Sequence, residues 1–126
     1  MTMAAIEQLP DRVNADAPLV RRGRFLTTRF LLEVGATQWL IGVQDGKIVS
    51  VERGPFVMPS WSFALRASEA EWQTFWSATP PPGHHDLMAL IKRRALKAEG
   101  DLKIFMAYLR YFKDVLAKLR AQEVAS

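Results

Sequence analysis

Ala95-Leu96-Lys97-Ala98-Glu99-Gly100-Asp101-Leu102-Lys103-Ile104-Phe105-Met106-Ala107-Tyr108-Leu109-Arg110-Tyr111-Phe112-Lys113-Asp114-Val115-Leu116-Ala117-Lys118-Leu119 reads as a short strand joined through Gly100-Asp101 to a long C-terminal helix. At about 100° per residue, Ile104, Phe105, Tyr108, Leu109, Phe112, Val115, Leu116 and Leu119 share one arc, while Lys103, Arg110, Asp114 and Lys118 fall outside it. A face this wide needs a large apolar surface opposite, either a sheet packed directly against it or a sheet with a lipid between. The rest of the chain has to supply that sheet.

Immediately upstream, Asp86 is placed to cap a helix bearing Leu87, Leu90 and Ile91, and Pro80-Pro81-Pro82-Gly83 makes a stiff connector that ends any preceding helix. Ser68-Glu69-Ala70-Glu71 is a capping-box pattern, so a helix is expected to start at Glu69 and to carry Trp72, Phe75 and Trp76 on one ridge. Before it, Trp61 to Ala67 reads as a strand with Phe63 and Leu65 on one face. Further upstream lies a meander of three strands. Phe25 to Val34 places Thr28, Phe30, Leu32 and Val34 on one side; Thr37 to Gln44 alternates Trp39, Ile41 and Val43 with Leu40, Gly42 and Gln44; Lys47 to Glu52 follows. Gly35-Ala36 and Asp45-Gly46 are the two turns, and Asp-Gly is a strong hairpin signal because a type I′ turn needs positive φ at both central residues. Residues 4 to 14 suit a short helix with Ile6, Leu9 and Val13 on one side, although Pro10 opposes it. The order implies an α+β fold with helices gathered on one sheet face. We divide the chain into an N-terminal extension, 1–24, and a domain, 25–122.

At 126 residues the chain is long enough to bury a core without staples. It has no cysteine, which excludes disulfides, thiolate metal sites and a cysteine nucleophile and leaves the cytoplasm as the expected compartment. The start has no basic region and its apolar run is interrupted by Glu7 and Pro10, unlike a secretory signal. No stretch has the length of an apolar membrane span. The net charge of +4 comes from 17 basic against 13 acidic residues, a modest excess. Arg21, Arg22, Arg24 and Arg29 form one basic cluster, and Lys92, Arg93, Arg94 and Lys97 another. Both read as solvated surface, with transient contact to an anionic membrane as the functional alternative.

Chemistry is sparsely equipped. His84-His85-Asp86 supplies too few ligands for a metal and reads as a loop before a helix cap, so no metal or cofactor is expected. The two histidines at that one place, and the absence of a Gly-x-Ser-x-Gly elbow, leave no catalytic triad. No dinucleotide or P-loop glycine pattern occurs. Glu99 and Asp101 read as a strand end and a helix cap. No RNP1-like run accompanies the basic clusters, so nucleic acid is not the expected partner. The chain is expected not to be an enzyme.

Three pieces, in this order and spacing, resemble the sterol carrier protein 2 (SCP2) family over about residues 25 to 120. They are Trp39-Leu40-Ile41-Gly42-Val43-Gln44-Asp45-Gly46-Lys47, Phe63-Ala64-Leu65-Arg66-Ala67-Ser68-Glu69-Ala70-Glu71-Trp72, and Leu96-Lys97-Ala98-Glu99-Gly100-Asp101. The resemblance implies a five-stranded, mostly antiparallel sheet with helices packed on one face around an apolar tunnel for sterols, acyl chains or other lipids. Family members bind and move lipids or serve as accessory domains. The Pro80–Asp86 stretch departs from the family's Gly-rich segment at this point.

Trp39, Phe63, Leu65, Trp72, Trp76, Leu90, Phe105, Tyr108, Leu109, Phe112 and Leu116 are the candidate ligand-binding residues. Rings at such junctions fill a core or wall a cavity, and both readings stay open. The function expected is non-catalytic carriage of a hydrophobic lipid. The alternative is an accessory module of a lipid or quinone biosynthetic enzyme, whose apolar face meets an enzyme or a second copy of the chain. Phe105 and Phe112 would face a void in the first and be packed in the second.

Overall fold

Asp45 and Gly46 adopt φ of 53° and 83°, the two positive values that an Asp-Gly hairpin turn requires. In the computed structural model, which describes residues 6–57, 60–77 and 87–119, that turn joins the second and third strands of one sheet. The strands are β1 (Thr28–Val34), β2 (Thr37–Gln44), β3 (Lys47–Arg53), β4 (Phe63–Ala67) and β5 (Leu96–Gly100), in the spatial order β3-β2-β1-β4-β5. β1 runs parallel to β4, and every other neighbouring pair is antiparallel. The expected α+β architecture is therefore present, with helices on one face of a five-stranded, mostly antiparallel sheet.

Among the described residues the helices are α1 (Leu9–Asn14), α2 (Ala17–Arg22), α3 (Glu69–Phe75), α4 (Leu87–Lys92), α5 (Leu102–Ala107) and α6 (Leu109–Ala117). Their starts follow local chemistry. Asp16 Oδ1 accepts from the Leu19 amide, Ser68 Oγ from the Glu71 amide, and Asp101 Oδ1 from the amides of Lys103 and Ile104. Pro10 sits in the first turn of α1, where its missing N–H leaves no intrahelical bond unmade. The Pro80–Gly83 connector and the His84-His85-Asp86 run lie outside the described residues.

The last helix differs from its sequence reading. Tyr108, at φ −117° and ψ 30°, ends α5 and begins α6, so the expected single helix is two segments. Neither Gly nor Pro marks the break. Its result is a change of face: Tyr111, outside the expected arc, is buried, whereas Ile104, Tyr108 and Leu109 are only partly covered. Tyr111 donates its hydroxyl to the Gly46 carbonyl at 2.6 Å, and its ring lies against Gly23. A buried tyrosine keeps its polar tip paired in this way. Burial also pushes the Tyr111 hydroxyl pKa well above its usual value.

Residues 6–24 join the same core through Ile6, Leu9, Val13 and Leu19. The Asn14 amide exchanges two hydrogen bonds with the Ile48 backbone, at 3.0 and 2.9 Å, and so occupies part of the free edge of β3. Asp16 pairs with Lys118, and Arg22 with Asp114, tying α2 to the end of the chain.

The opposite sheet face is thinner. To reach β4 beside β1, the chain leaving edge strand β3 must pass β2 and β1, and Phe56 and Trp61 of this connection pack on Leu31, Leu40 and Ala64. Next to them a polar belt crosses the strands. Gln38 donates to Glu33 at 3.1 Å, Arg66 reaches Glu33 and Glu99 at 2.6 Å each, and Lys97 meets Glu99 at 3.2 Å. The hydrogen bond from Arg66, then that from Lys97, holds the Glu99 carboxyl below its usual pKa. A carboxylate with a depressed folded-state pKa stabilises the fold at neutral pH, and that contribution is lost as pH falls through the folded value. Glu99→Gln is thus expected to flatten the acid limb of a stability-versus-pH curve; an acid limb identical to that of the unmodified chain would contradict this.

Candidate functional site: the aromatic layer between sheet and helices

Period-two alternation on β1, β2 and β4 points Phe30, Leu32, Trp39, Ile41, Phe63 and Leu65 toward the helices, and all six are buried. α3 brings Trp72, Phe75 and Trp76 over them, α4 brings Leu87 and Leu90, and the last two helices bring Phe105, Phe112, Val115 and Leu116. The structure places nine of the eleven candidate residues in this single buried cluster; Tyr108 and Leu109 pack on it while partly exposed.

The rings touch one another. Phe63 lies at centre: its centroid is 5.2 Å from Phe30 in a stacked pair, 4.9 Å from Phe112 edge-on and 5.3 Å from Phe105. Phe105 and Phe112 are stacked at 6.0 Å. Trp72 and Trp76 stack at 5.3 Å, and Phe75 meets Trp72 edge-on at 5.9 Å. Phe63, Leu65, Trp72, Leu90, Phe112 and Leu116 are each 0% exposed, so no water-sized space borders them. Of the two arrangements left open for Phe105 and Phe112, the described residues show them packed, with offset and edge-on ring contacts joining them to Phe30 and Phe63.

Polar groups are nearly absent from this layer. Among the described residues no polar or charged side chain is buried. Two of the deep indoles satisfy themselves on backbone carbonyls, Trp72 Nε1 on Glu33 at 2.9 Å and Trp76 Nε1 on Leu116 at 3.0 Å. Trp39 Nε1 is buried without an acceptor. No group of three or more His, Asp or Glu among the described residues is arranged to hold a metal ion. No helix among them is long and apolar enough to cross a membrane.

Phe30 and Tyr111 belong to the layer but are missing from the candidate set. Phe30 carried its signal in the alternation of β1. Tyr111 carried none within its own helix, because its burial depends on two glycines far away in sequence, Gly23 and Gly46.

This combination of sheet order, helix-covered face and apolar layer is the SCP2-type fold. The chain superposes on a conserved hypothetical protein of Thermus thermophilus put forward as a sterol carrier protein, with a TM-score of 0.76 and 14% identity over 99% of this chain and 92% of that one. It matches a crystal structure of sterol carrier protein 2 equally well, at 0.76 and 12% identity over 95% and 96%. A UbiJ-SCP2 ubiquinone synthesis protein follows at 0.58 and 18% identity, over 92% and 88%. No family model and no curated protein matches the sequence.

Proposed function

We propose that this chain is a non-catalytic lipid-binding protein of the cytoplasm, which takes an acyl chain, isoprenoid or sterol-like guest between its sheet and helices and carries it. The supporting observation is the apolar layer itself, roofed among the described residues by helices of only six to nine residues. Helices so short are marginal alone and are held by packing, so the roof can part from the sheet without breaking a hydrogen-bonded ladder. The packed arrangement is then the closed form. Each methylene withdrawn from water contributes roughly 0.8 kcal/mol, so a sixteen-carbon chain gains on the order of 12 kcal/mol. Parting the ring contacts offsets part of that gain. A bilayer offers the same chain a similar environment, which suits a carrier that must load and unload.

The loading surface we assign to the basic cluster of Arg21, Arg22 and Arg24, where Phe25 stands 79% exposed with the Arg24 guanidinium 4.6 Å from its ring centre. An exposed aromatic with a cation over its ring suits transient contact with an anionic bilayer.

Fatty acids of ten to sixteen carbons test the proposal by titration below their aggregation limits. Affinity is expected to rise about threefold to fourfold per added methylene. Affinity independent of chain length, or no saturable binding, would contradict it.

One second reading has its own support. Leu102 and Met106, 41% and 47% exposed and one turn apart on α5, form an apolar ridge beside a solidly packed interior. This suits an accessory module that meets a biosynthetic enzyme or a second copy of the chain. Loss of an oligomer on charging that ridge, with lipid uptake unchanged, would favour this reading.

A further inference from the structure

The sheet face turned away from the helices has a gap in one of its rows of side chains. Arg29 of β1 pairs with Gly42 of β2, and Gly42 with Ser50 of β3, so the three stand side by side on that face. Ser62, whose amide donates to the Arg29 carbonyl at 2.7 Å, extends the row beyond β1. Neighbouring strands lie about 4.8 Å apart, which sets the Arg29 and Ser50 backbones roughly 10 Å from each other with no side chain between them. Gly42 does not have a positive φ, so what it supplies is room: a Cβ there would fall 2.4 Å from Ser50 Oγ. The Ser50 hydroxyl therefore leans over Gly42 toward Arg29. A register shift at Gly42 and Val43 bends the ladder at the same place, as bulges beside binding sites do. The result is a surface hollow of about 440 Å³, whose lining includes Arg29, Gly42, Gln44, Ser50, Trp61 and Ser62. Trp61, packed on Leu31, Leu40 and Ala64, gives it a fixed wall.

Several donors here have no partner. Arg29 is exposed, and among the described residues neither its guanidinium nor the Ser50 hydroxyl makes a hydrogen bond or ion pair. The Thr28 and Ser62 hydroxyls meet at 2.7 Å, which leaves one hydroxyl hydrogen of that pair free to donate. No aspartate or glutamate lines the hollow: Asp45, Glu52 and Glu33 stand outside it, and Glu33 is engaged by Arg66 and Gln38. From this row of donors around a glycine floor we infer a binding site for a small water-soluble phosphate monoester. The guanidinium fork takes two phosphate oxygens, and a hydroxyl on either side of it is available to the third. A carboxylate has only two oxygens and a single charge. The volume admits a carbon skeleton of sugar size beside the phosphate, against Trp61. The hollow and the apolar layer lie on opposite faces of the sheet, so this site and the lipid-binding reading stand or fall separately.

Glucose 6-phosphate, glucuronate and glucose separate the phosphate from a carboxylate and from the sugar when titrated at about pH 7.5, where the phosphate carries close to two charges. Amide chemical shifts of Arg29, Gly42, Ser50 and Ser62 are expected to move saturably with glucose 6-phosphate, with an affinity at least about tenfold above that for glucuronate and no saturation by glucose. Arg29→Gln is expected to weaken glucose 6-phosphate about tenfold or more, and Ser50→Ala about threefold to tenfold. Arg53→Gln, which removes an equal charge from the helix-covered face, should leave the affinity unchanged. Absence of saturable shifts in the unmodified chain overturns the site. Equal affinity for glucuronate overturns the phosphate assignment, and an equal loss in Arg53→Gln reduces the effect to general charge. Arg29-dependent binding to vesicles containing phosphatidate, with none to glucose 6-phosphate, overturns the soluble ligand in favour of a lipid headgroup.

Discussion

Phe112→Ala is expected to lower the stability of the fold by about 3–5 kcal/mol, read as a shift in the urea midpoint at unchanged slope. The ring is 0% exposed and meets Phe30, Phe63, Phe105 and Tyr111 with centroids 4.9–6.0 Å apart. Four aromatic neighbours locked by one another cannot all relax into the space left behind, so the loss includes a cavity contribution beyond simple transfer. A domain of this size is typically stable by about 5–15 kcal/mol, so the variant should still fold at low temperature. The space created lies in the proposed lipid layer, and lipid capacity should change more than oligomeric state. A loss under about 1 kcal/mol would mean that the ring cluster is loosely packed.

Gly46→Ala is expected to cost on the order of 2–4 kcal/mol, a large effect for one methyl group on a turn. Gly46 has φ +83°, and a Cβ there would fall 2.3 Å from the Val20 carbonyl oxygen and 2.8 Å from the Gly23 carbonyl carbon. Those are backbone atoms, so the new methyl can be accommodated only by moving α2 or the turn. Because the Gly46 carbonyl also accepts from Tyr111, the displacement should alter the near-ultraviolet circular dichroism of the tyrosine as well as the denaturation midpoint. Stability within about 0.5 kcal/mol of the unmodified chain would show that this contact is not close in solution.

How much of the molecule could be read beforehand follows from how local each signal is. Asp45-Gly46, Ser68 and Asp101 announce their turn and caps because the partners lie within a few residues. The alternation of Trp39, Ile41 and Val43 identifies a buried face because a strand has period two. The break at Tyr108 is different: no breaking residue marks it, and its outcome is the seating of Tyr111 on Gly46, 65 residues away. The parallel pairing of β1 with β4 likewise depends on a connection that crosses the sheet. The candidate site shows the same division. Its members were legible as apolar positions, whereas their mutual contact is a property of volume, which a linear pattern does not carry. The unpaired Trp39 N–H is legible only once every possible acceptor has a position.

In the proposed carrier the rings between sheet and helices part to enclose one hydrophobic guest. Native mass spectrometry of the protein after incubation with anionic phospholipid vesicles containing hexadecanoate, and removal of the vesicles, tests it most directly. One equivalent of lipid is expected, bound non-covalently and recovered by solvent extraction. Bare protein mass alone, from a chain that remains folded and still contacts the vesicles, would contradict it.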